Sequence, residues 1–232
     1  MQELGISELM ANVLIKRNIS LEDAKLLYNN PIILLENPED IYGMREVANK
    51  IVELYQEKPD RPFLIFADYD VDGMTSGYIM TSCLGELGLD TYPYFPERDE
   101  GYGLSIAFAK KVVEQMKDQL PVVITVDNGI AGVEEVDLAN ELGCDVIITD
   151  HHKIQDTIPN AYAIIHPEHP EGEYPFKKLA GVGVAFKVAH ALLEIFPDFL
   201  LDLVAIGTIA DMVSITDENR IFVKQGLELI NE

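Results

Sequence analysis

Phe63-Leu64-Ile65-Phe66-Ala67-Asp68-Tyr69-Asp70-Val71-Asp72-Gly73 is the stretch that decides the fold. An unbroken apolar run of strand length, bounded by turn residues, predicts a strand buried on both faces. It runs straight into alternating aspartates and a glycine, the turn that opens an amphipathic helix over Met74–Leu87, stopped by Gly88. The same texture continues downstream. Strand patterns occur at Thr91–Phe95, Val122–Val126, Asp145–Thr149 and Tyr162–Ile165, and helical periodicity at Ile106–Gln119 and Gly132–Leu142. Strands alternating with helices predict βαβ units, hence an α/β fold with a mainly parallel sheet flanked by helices. Both ends of the chain read as helical. The C-terminal end carries Val182–Ile195, Phe199–Met212 and Ile221–Ile230. Upstream, Ser20-Leu21-Glu22-Asp23 reads as a helix cap with Ala24, Leu26 and Leu27 behind it. After Pro38, the residues Ile41, Met44, Val47, Ala48, Ile51, Val52 and Tyr55 recur at helical spacing. The expected organisation is a helical N-terminal segment, 1–60, packed on the core of an α/β domain, 61–232.

Composition narrows the function. The chain has 232 residues, 48% of them apolar, so it can bury a sizeable core and is no disordered acidic tail. Lys+Arg 17 against Asp+Glu 40 gives a net charge of −23. That argues against a protein coating duplex DNA by counter-ion release, but not against an enzyme whose carboxylates are neutralised by bound cations. Cys83 and Cys144 form no CxxC pattern, which excludes a zinc ribbon or a disulfide scaffold and favours a reducing compartment. Met1-Gln2-Glu3-Leu4 has no basic, apolar leader pattern, and no apolar run approaches the ~20 residues of a membrane span. A soluble, cytoplasmic protein is expected.

The carboxylates are concentrated at strand ends. Asp68-Tyr69-Asp70-Val71-Asp72-Gly73 follows the first strand, Asp127-Asn128-Gly129 the strand at 122–126, and Asp150-His151-His152 the strand at 145–149. In an open α/β sheet, ligands bind beyond the carboxyl ends of the strands. Carboxylates gathered there repel one another unless a cation sits among them. Oxygen and imidazole donors suit Mn2+ or Mg2+, and two such ions bridged by one carboxylate would activate water and stabilise the leaving oxygen of a phosphodiester. A calcium loop is the alternative for DxDxDG, but its twelfth position is Ile79 instead of Glu, and the motif follows a strand.

Four stretches, Asp68-Tyr-Asp-Val-Asp72-Gly73, Val126-Asp127-Asn-Gly129, Asp150-His151-His152 and Gly207-Thr-Ile-Ala-Asp211, resemble the ordered signatures of the DHH phosphoesterase superfamily. Within it the chain is most similar to the RecJ-type single-strand-specific 5′→3′ DNA exonucleases. Pro96-Glu-Arg98-Asp-Glu-Gly101-Tyr-Gly103-Leu104, Leu179-Ala-Gly181-Val-Gly183-Val-Ala-Phe186-Lys187 and the approach through Asn37-Pro38 and Met44 carry that similarity. The resemblance implies metal-dependent hydrolysis of single-stranded DNA. It implies two divalent ions held by Asp70, Asp72, Asp127, His151 and Asp211, with Asp127 the bridge. It further implies that Asp68 is an acidic group near the metals, that His152 faces the scissile phosphate, and that Asp150 orients an imidazole. Asp211 is singled out only by the resemblance, since by pattern it is a helix-end carboxylate. Arg98 is a candidate phosphate or DNA-backbone contact, with an ion pair to Glu97 or Asp99 as the alternative, and Lys187 is a further candidate substrate contact. Single-strand-binding or repair proteins are the implied protein partners.

Two positions depart from the family pattern. Phe66 stands where a His is common, which implies either a different ligand set using Asp68 or a more weakly bound metal, and Asn128 stands where a Cys is common. No stretch after Asp211 resembles the second, substrate-gripping domain or the OB-type module of RecJ-type enzymes, so a catalytic-domain fragment or a minimal member is expected. Competing functions are a phosphodiesterase for short RNA or cyclic dinucleotides, an inorganic pyrophosphatase, and a catalytically silent scaffold. The Arg98 loop and the 181–187 stretch speak against the pyrophosphatase, and the intact acidic set against the scaffold.

Overall fold

The computed structural model describes residues 4–29, 31–57, 60–98, 105, 110–112 and 120–231. Two compact units divide the chain, Met1–Glu36 and Asn37–Glu232. The first holds helices α1 (Glu8–Lys16) and α2 (Leu21–Asn29). Ser7 caps α1 by accepting the N–H of Met10. Ser20 opens α2 by accepting the N–H of Asp23 and donating back to its carboxylate at 2.6 Å.

In the second unit α3 (Met44–Glu57) comes first, so the helical N-terminal region divides near 36 and α3 belongs with the sheet. Its buried stripe is Met44, Val47, Ile51 and Leu54. Val52 and Tyr55, expected on that stripe, are exposed. Leu54, three residues beyond Ile51, takes the inward place, continuing the 44-47-51 spacing of three and four residues along one side of the helix.

Strands β1 (Phe63–Ala67), β2 (Thr91–Tyr94), β3 (Val122–Val126), β4 (Asp145–Thr149) and β5 (Ala163–Ile165) form one five-stranded sheet. Its order is β2-β1-β3-β4-β5 and every pairing is parallel. The three central strands, β1, β3 and β4, are the near-continuous apolar runs that read as doubly covered in sequence. Edge strand β2 exposes Tyr92 and tolerates Pro93, which would remove a ladder hydrogen bond from a central strand.

Further helices are α4 (Val71–Glu86), α5 (Val133–Glu141), α6 (Gly181–Leu193), α7 (Leu201–Ala210) and α8 (Asp217–Ile230), with short 3-10 turns at Pro31–Leu34, Pro38–Asp40 and Asp198–Leu200. The expected helix over 106–119 lies outside the described residues except at 110–112, which are helical, and the loop at 99–104 lies outside them too. Helix α4 packs on both α6 and α7, and α7 on α8. These approaches are close: a Cβ on Gly207 would lie 2.4 Å from Thr75 Oγ1 and 2.8 Å from Val182 Cγ1. No helix among the described residues is long and apolar enough to cross a membrane. Cys83 and Cys144 are buried free thiols.

Register places the chemistry. Ala67 is level with Val126, Val126 with Thr149, and Thr149 with Ile165. The next residue along each of these strands is Asp68, Asp127, Asp150 and His166. One end of the sheet is therefore lined by four polar side chains in a row.

Candidate active site

Asp70 and Asp72 reach that end through the start of α4. Asp70 is the N-cap, accepting the Gly73 N–H at 2.9 Å. Asp72, fully buried, accepts from the first N–H groups of α6, Gly181 at 2.7 Å and Val182 at 2.8 Å, one on each carboxylate oxygen. Asp72 thus sits at the positive ends of two helices, where a carboxylate is stabilised. Asp211 is the opposite case. It is the C-cap of α7, where the dipole disfavours an anion, and its Oδ2 is buried without a hydrogen-bond partner.

Asp127 occupies the turn after β3 with φ of 61°, a left-handed conformation uncommon outside glycine. The turn is fixed from inside: Thr125 donates to the Asn128 carbonyl at 2.8 Å, and the Asn128 amide donates to the carbonyls of Val126 and Phe66. Phe66 contributes that carbonyl to the turn. Its ring lies in a core cluster with Leu64, Val123, Val146 and Ile148, stacked on Tyr94.

Asp150 organises the turn after β4. Its Oδ1 accepts the N–H groups of His151 and His152 and the His152 ring Nδ1–H at 2.8 Å, while Oδ2 accepts the Ile130 N–H at 2.9 Å. With its oxygens so engaged, Asp150 orients the imidazole rather than offering itself to a ligand. The turn then points both rings inward, 4.5 Å apart. His151 Nε2 lies 3.0 Å from Asp127 Oδ1, 3.7 Å from Asp72 Oδ2 and 4.0 Å from Asp211 Oδ2.

Those short separations are not hydrogen bonds: Asp127 Oδ1, His151 Nε2 and Asp211 Oδ2 are all buried and all unpartnered. An orphaned buried polar atom costs about 1–3 kcal/mol, and two such carboxylate oxygens within 4.0 Å of His151 Nε2 call for a positive group among them. Among the described residues, three groupings could hold a metal, each with its donor atoms within 4.8 Å of one another: Asp72, His151 and Asp211; Asp127, His151 and His152; Asp68, Asp70 and Asp127. Hard oxygens with imidazole suit a divalent cation. Burial, with Asp127 alongside, pushes Asp72 up to about 8. Burial likewise raises Asp127 well above the carboxylate range and raises Asp68. For His152, burial opposes the charged form, but the hydrogen bond and charge of Asp150 prevail and lift it to about 9.

Arg98 is exposed, and its guanidinium carbon stands 5.6 Å from the Tyr69 ring centroid, beside the first acidic turn. Lys187 requires a correction. Instead of facing a substrate it is 1% exposed, with Nζ 2.5 Å from Glu218 Oε1, and the other Glu218 oxygen accepts from Tyr174 at 2.5 Å. A charge enclosed and neutralised in this way ties α6 to α8 and offers nothing to a phosphate.

Two features went unassigned in the sequence. Gly181 was visible as part of a motif, but not as the residue whose Cα presses on Asp127, since a Cβ there would fall 2.4 Å from Oδ1. His166 follows a strand as the three aspartates do, but a lone histidine there carries no motif in the sequence; burial holds it below the usual histidine range.

The DHH family, N-terminal domain, matches residues 62–208. The single-stranded-DNA-specific exonuclease RecJ of Bacillus subtilis (strain 168) is 44% identical over 98% of this chain and 28% of its own length. The chain thus spans under a third of that relative. A crystal structure of exonuclease RecJ bound to manganese superposes with a TM-score of 0.72 at 34% identity, covering 85% of this chain and 49% of the other. RecJ from Thermus thermophilus in complex with Mn2+ gives 0.72 at 31% identity, covering 93% and 30%.

Proposed function

The chain belongs to the DHH family, and we propose that it is the catalytic domain of a metal-dependent, RecJ-like exonuclease that removes nucleotides from the 5′ end of single-stranded DNA. The observation that carries this is the set of buried, unpartnered atoms Asp127 Oδ1, His151 Nε2 and Asp211 Oδ2 at the sheet end. Relatives named as single-stranded-DNA-specific exonucleases, and RecJ structures bound to manganese, support the substrate and the cation.

One ion would be held by Asp72, His151 and Asp211, the other by Asp70 with Asp68, and Asp127 would be shared. Asp68 fits the role that Phe66 leaves open. Bound Mn2+ or Mg2+ supplies Lewis acidity, lowering the pKa of water and stabilising the leaving oxygen. The protein's own groups do the rest. His152, half-exposed and held through Nδ1 by Asp150, presents Nε2 as a donor to a non-bridging phosphate oxygen. Arg98, braced over Tyr69, supports the nucleic-acid backbone beside the acidic turn. Asp72 is kept rigid by α6 and excludes rearrangement of the ligand set. Two buried free thiols support a cytoplasmic location, and the same reading would bring single-strand-binding or repair proteins as partners.

The test is turnover of 5′- and 3′-labelled single-stranded DNA, short RNA and cyclic dinucleotides with Mn2+. Stepwise release of the 5′ label from DNA is expected, and Asp127→Asn should lose both metal and turnover. Release from the 3′ end alone, preference for RNA or cyclic dinucleotides, or full activity in excess chelator would overturn the proposal.

A further inference from the structure

Of the four residues that follow the aligned strand ends, three are acids of the proposed site and the fourth is His166. Its side chain is 0% exposed and both ring nitrogens are engaged. Nδ1 accepts the N–H of Glu168 at 3.0 Å, and Nε2 faces the main-chain carbonyl of His152 at 2.8 Å. A nitrogen that accepts an N–H carries no proton, and one facing a carbonyl oxygen must carry one. His166 is therefore the neutral Nε2–H tautomer, donating to His152.

The position of that bond matters. The β4–β5 ladder ends just past Thr149 and Ile165, with the Asp150 N–H donating to the Ile165 carbonyl at 3.2 Å. Two residues further on, where the strands no longer pair, the His166 ring spans the gap and takes the carbonyl of His152. Asp150 fixes the His152 ring and His166 fixes its peptide. His151 is tied to Asp150 through its own N–H.

We propose that His166 is a positioning residue for His152: by holding the His152 carbonyl it sets the direction in which the His152 ring faces the scissile phosphate. This rests on the role given to His152 above. An outer partner that orients a reactive imidazole commonly shapes turnover without touching substrate.

The experiment compares the whole chain with His166→Leu and His166→Gln. Leu removes both bonds at similar volume; Gln has the reach to restore the donor to His152. Imidazole nitrogen NMR of the unaltered protein should show His166 as the neutral Nε2–H form, and His166→Leu should weaken the downfield Nδ1–H signal of His152. In turnover, His166→Leu should lower kcat about tenfold, the size of one lost hydrogen bond, with KM and Mn2+ affinity unchanged, and His166→Gln should recover most of it. Wild-type kcat in His166→Leu, no recovery in His166→Gln, parallel loss of Mn2+ affinity, or an Nδ1–H tautomer would each overturn the proposal. If the unaltered chain degrades no nucleic acid, the functional reading fails, while the tautomer and the His152 signal still decide whether His166 holds that turn.

Discussion

Replacing Gly181 by Ala tests how tightly the site is built. A Cβ at this position would lie 2.4 Å from Asp127 Oδ1, 2.6 Å from Cγ and 2.7 Å from Cβ. Ordinary contact needs about 3.4 Å or more, so one side must move by about 1 Å. Neither side is free to. The Gly181 N–H holds Asp72 at 2.7 Å, and Asp127 is locked in a left-handed turn with Asn128 bonded beneath it. Either Asp127 swings out or the end of α6 retracts and releases Asp72, and both routes spoil the proposed ligand set. A misplacement of about 1 Å can cost ~10²-fold, and overpacking costs about 1–3 kcal/mol of stability. Gly181→Ala should therefore remain folded with a lowered Tm, lose about 100-fold in kcat/KM and bind Mn2+ more weakly by calorimetry. Gly183→Ala is the control on the same helix. There the nearest atom is a flexible Leu179 methyl at 3.2 Å, no carboxylate is involved, and activity should stay near wild type. If Gly181→Ala turns over and binds Mn2+ like the unaltered chain, the claim that α6 fixes the two acids is wrong.

His152→Ala should retain bound Mn2+ and lose about 10²–10³-fold in kcat; a stoichiometry of bound metal that falls by one would instead make His152 a ligand. Without metal, Asp72 is raised to about 8 and His152 to about 9, so at these two groups the folded chain keeps protons that the unfolded chain releases. Stability from both groups is present at low pH and is lost as pH rises through those values. Melting temperature in chelator should fall between pH 5 and pH 9 (about the interval spanning these pKa values), and Mn2+ should flatten the slope, because the cation replaces the protons; a metal-free Tm that climbs with pH would refute this. Lys187→Met should leave single-stranded DNA binding unchanged while destabilising the fold by about 3–5 kcal/mol, because Glu218 stays buried without its cation; selective loss of DNA affinity with normal Tm would return Lys187 to the substrate.

Much of this architecture was legible because its signals are local. The runs 63–67, 122–126 and 145–149 are strands over the same residues that their apolar continuity marks, since a strand covered on both faces needs no polar alternation. The start of α4 was less sharp: Val71 and Asp72 read as part of an acidic turn, whereas the Asp70 cap recruits them into the helix.

The linear order of residues determined that three acidic turns would meet at one end of a parallel sheet, because strand direction and right-handed crossovers leave no other end for them. It could not determine charge partners, which come from other elements distant in the chain. Lys187 looks like any exposed cation until α8 brings Glu218 over it and seals the pair from water. Asp72 looks like a freely rotating carboxylate until α6 presents two N–H groups that fix it, across 109 and 110 residues. Gly181 and His166 carry no chemistry of their own in sequence. They gain it when packing places a missing side chain against Asp127 and a buried ring against the His152 carbonyl, and close packing between distant segments is a property of the folded chain alone.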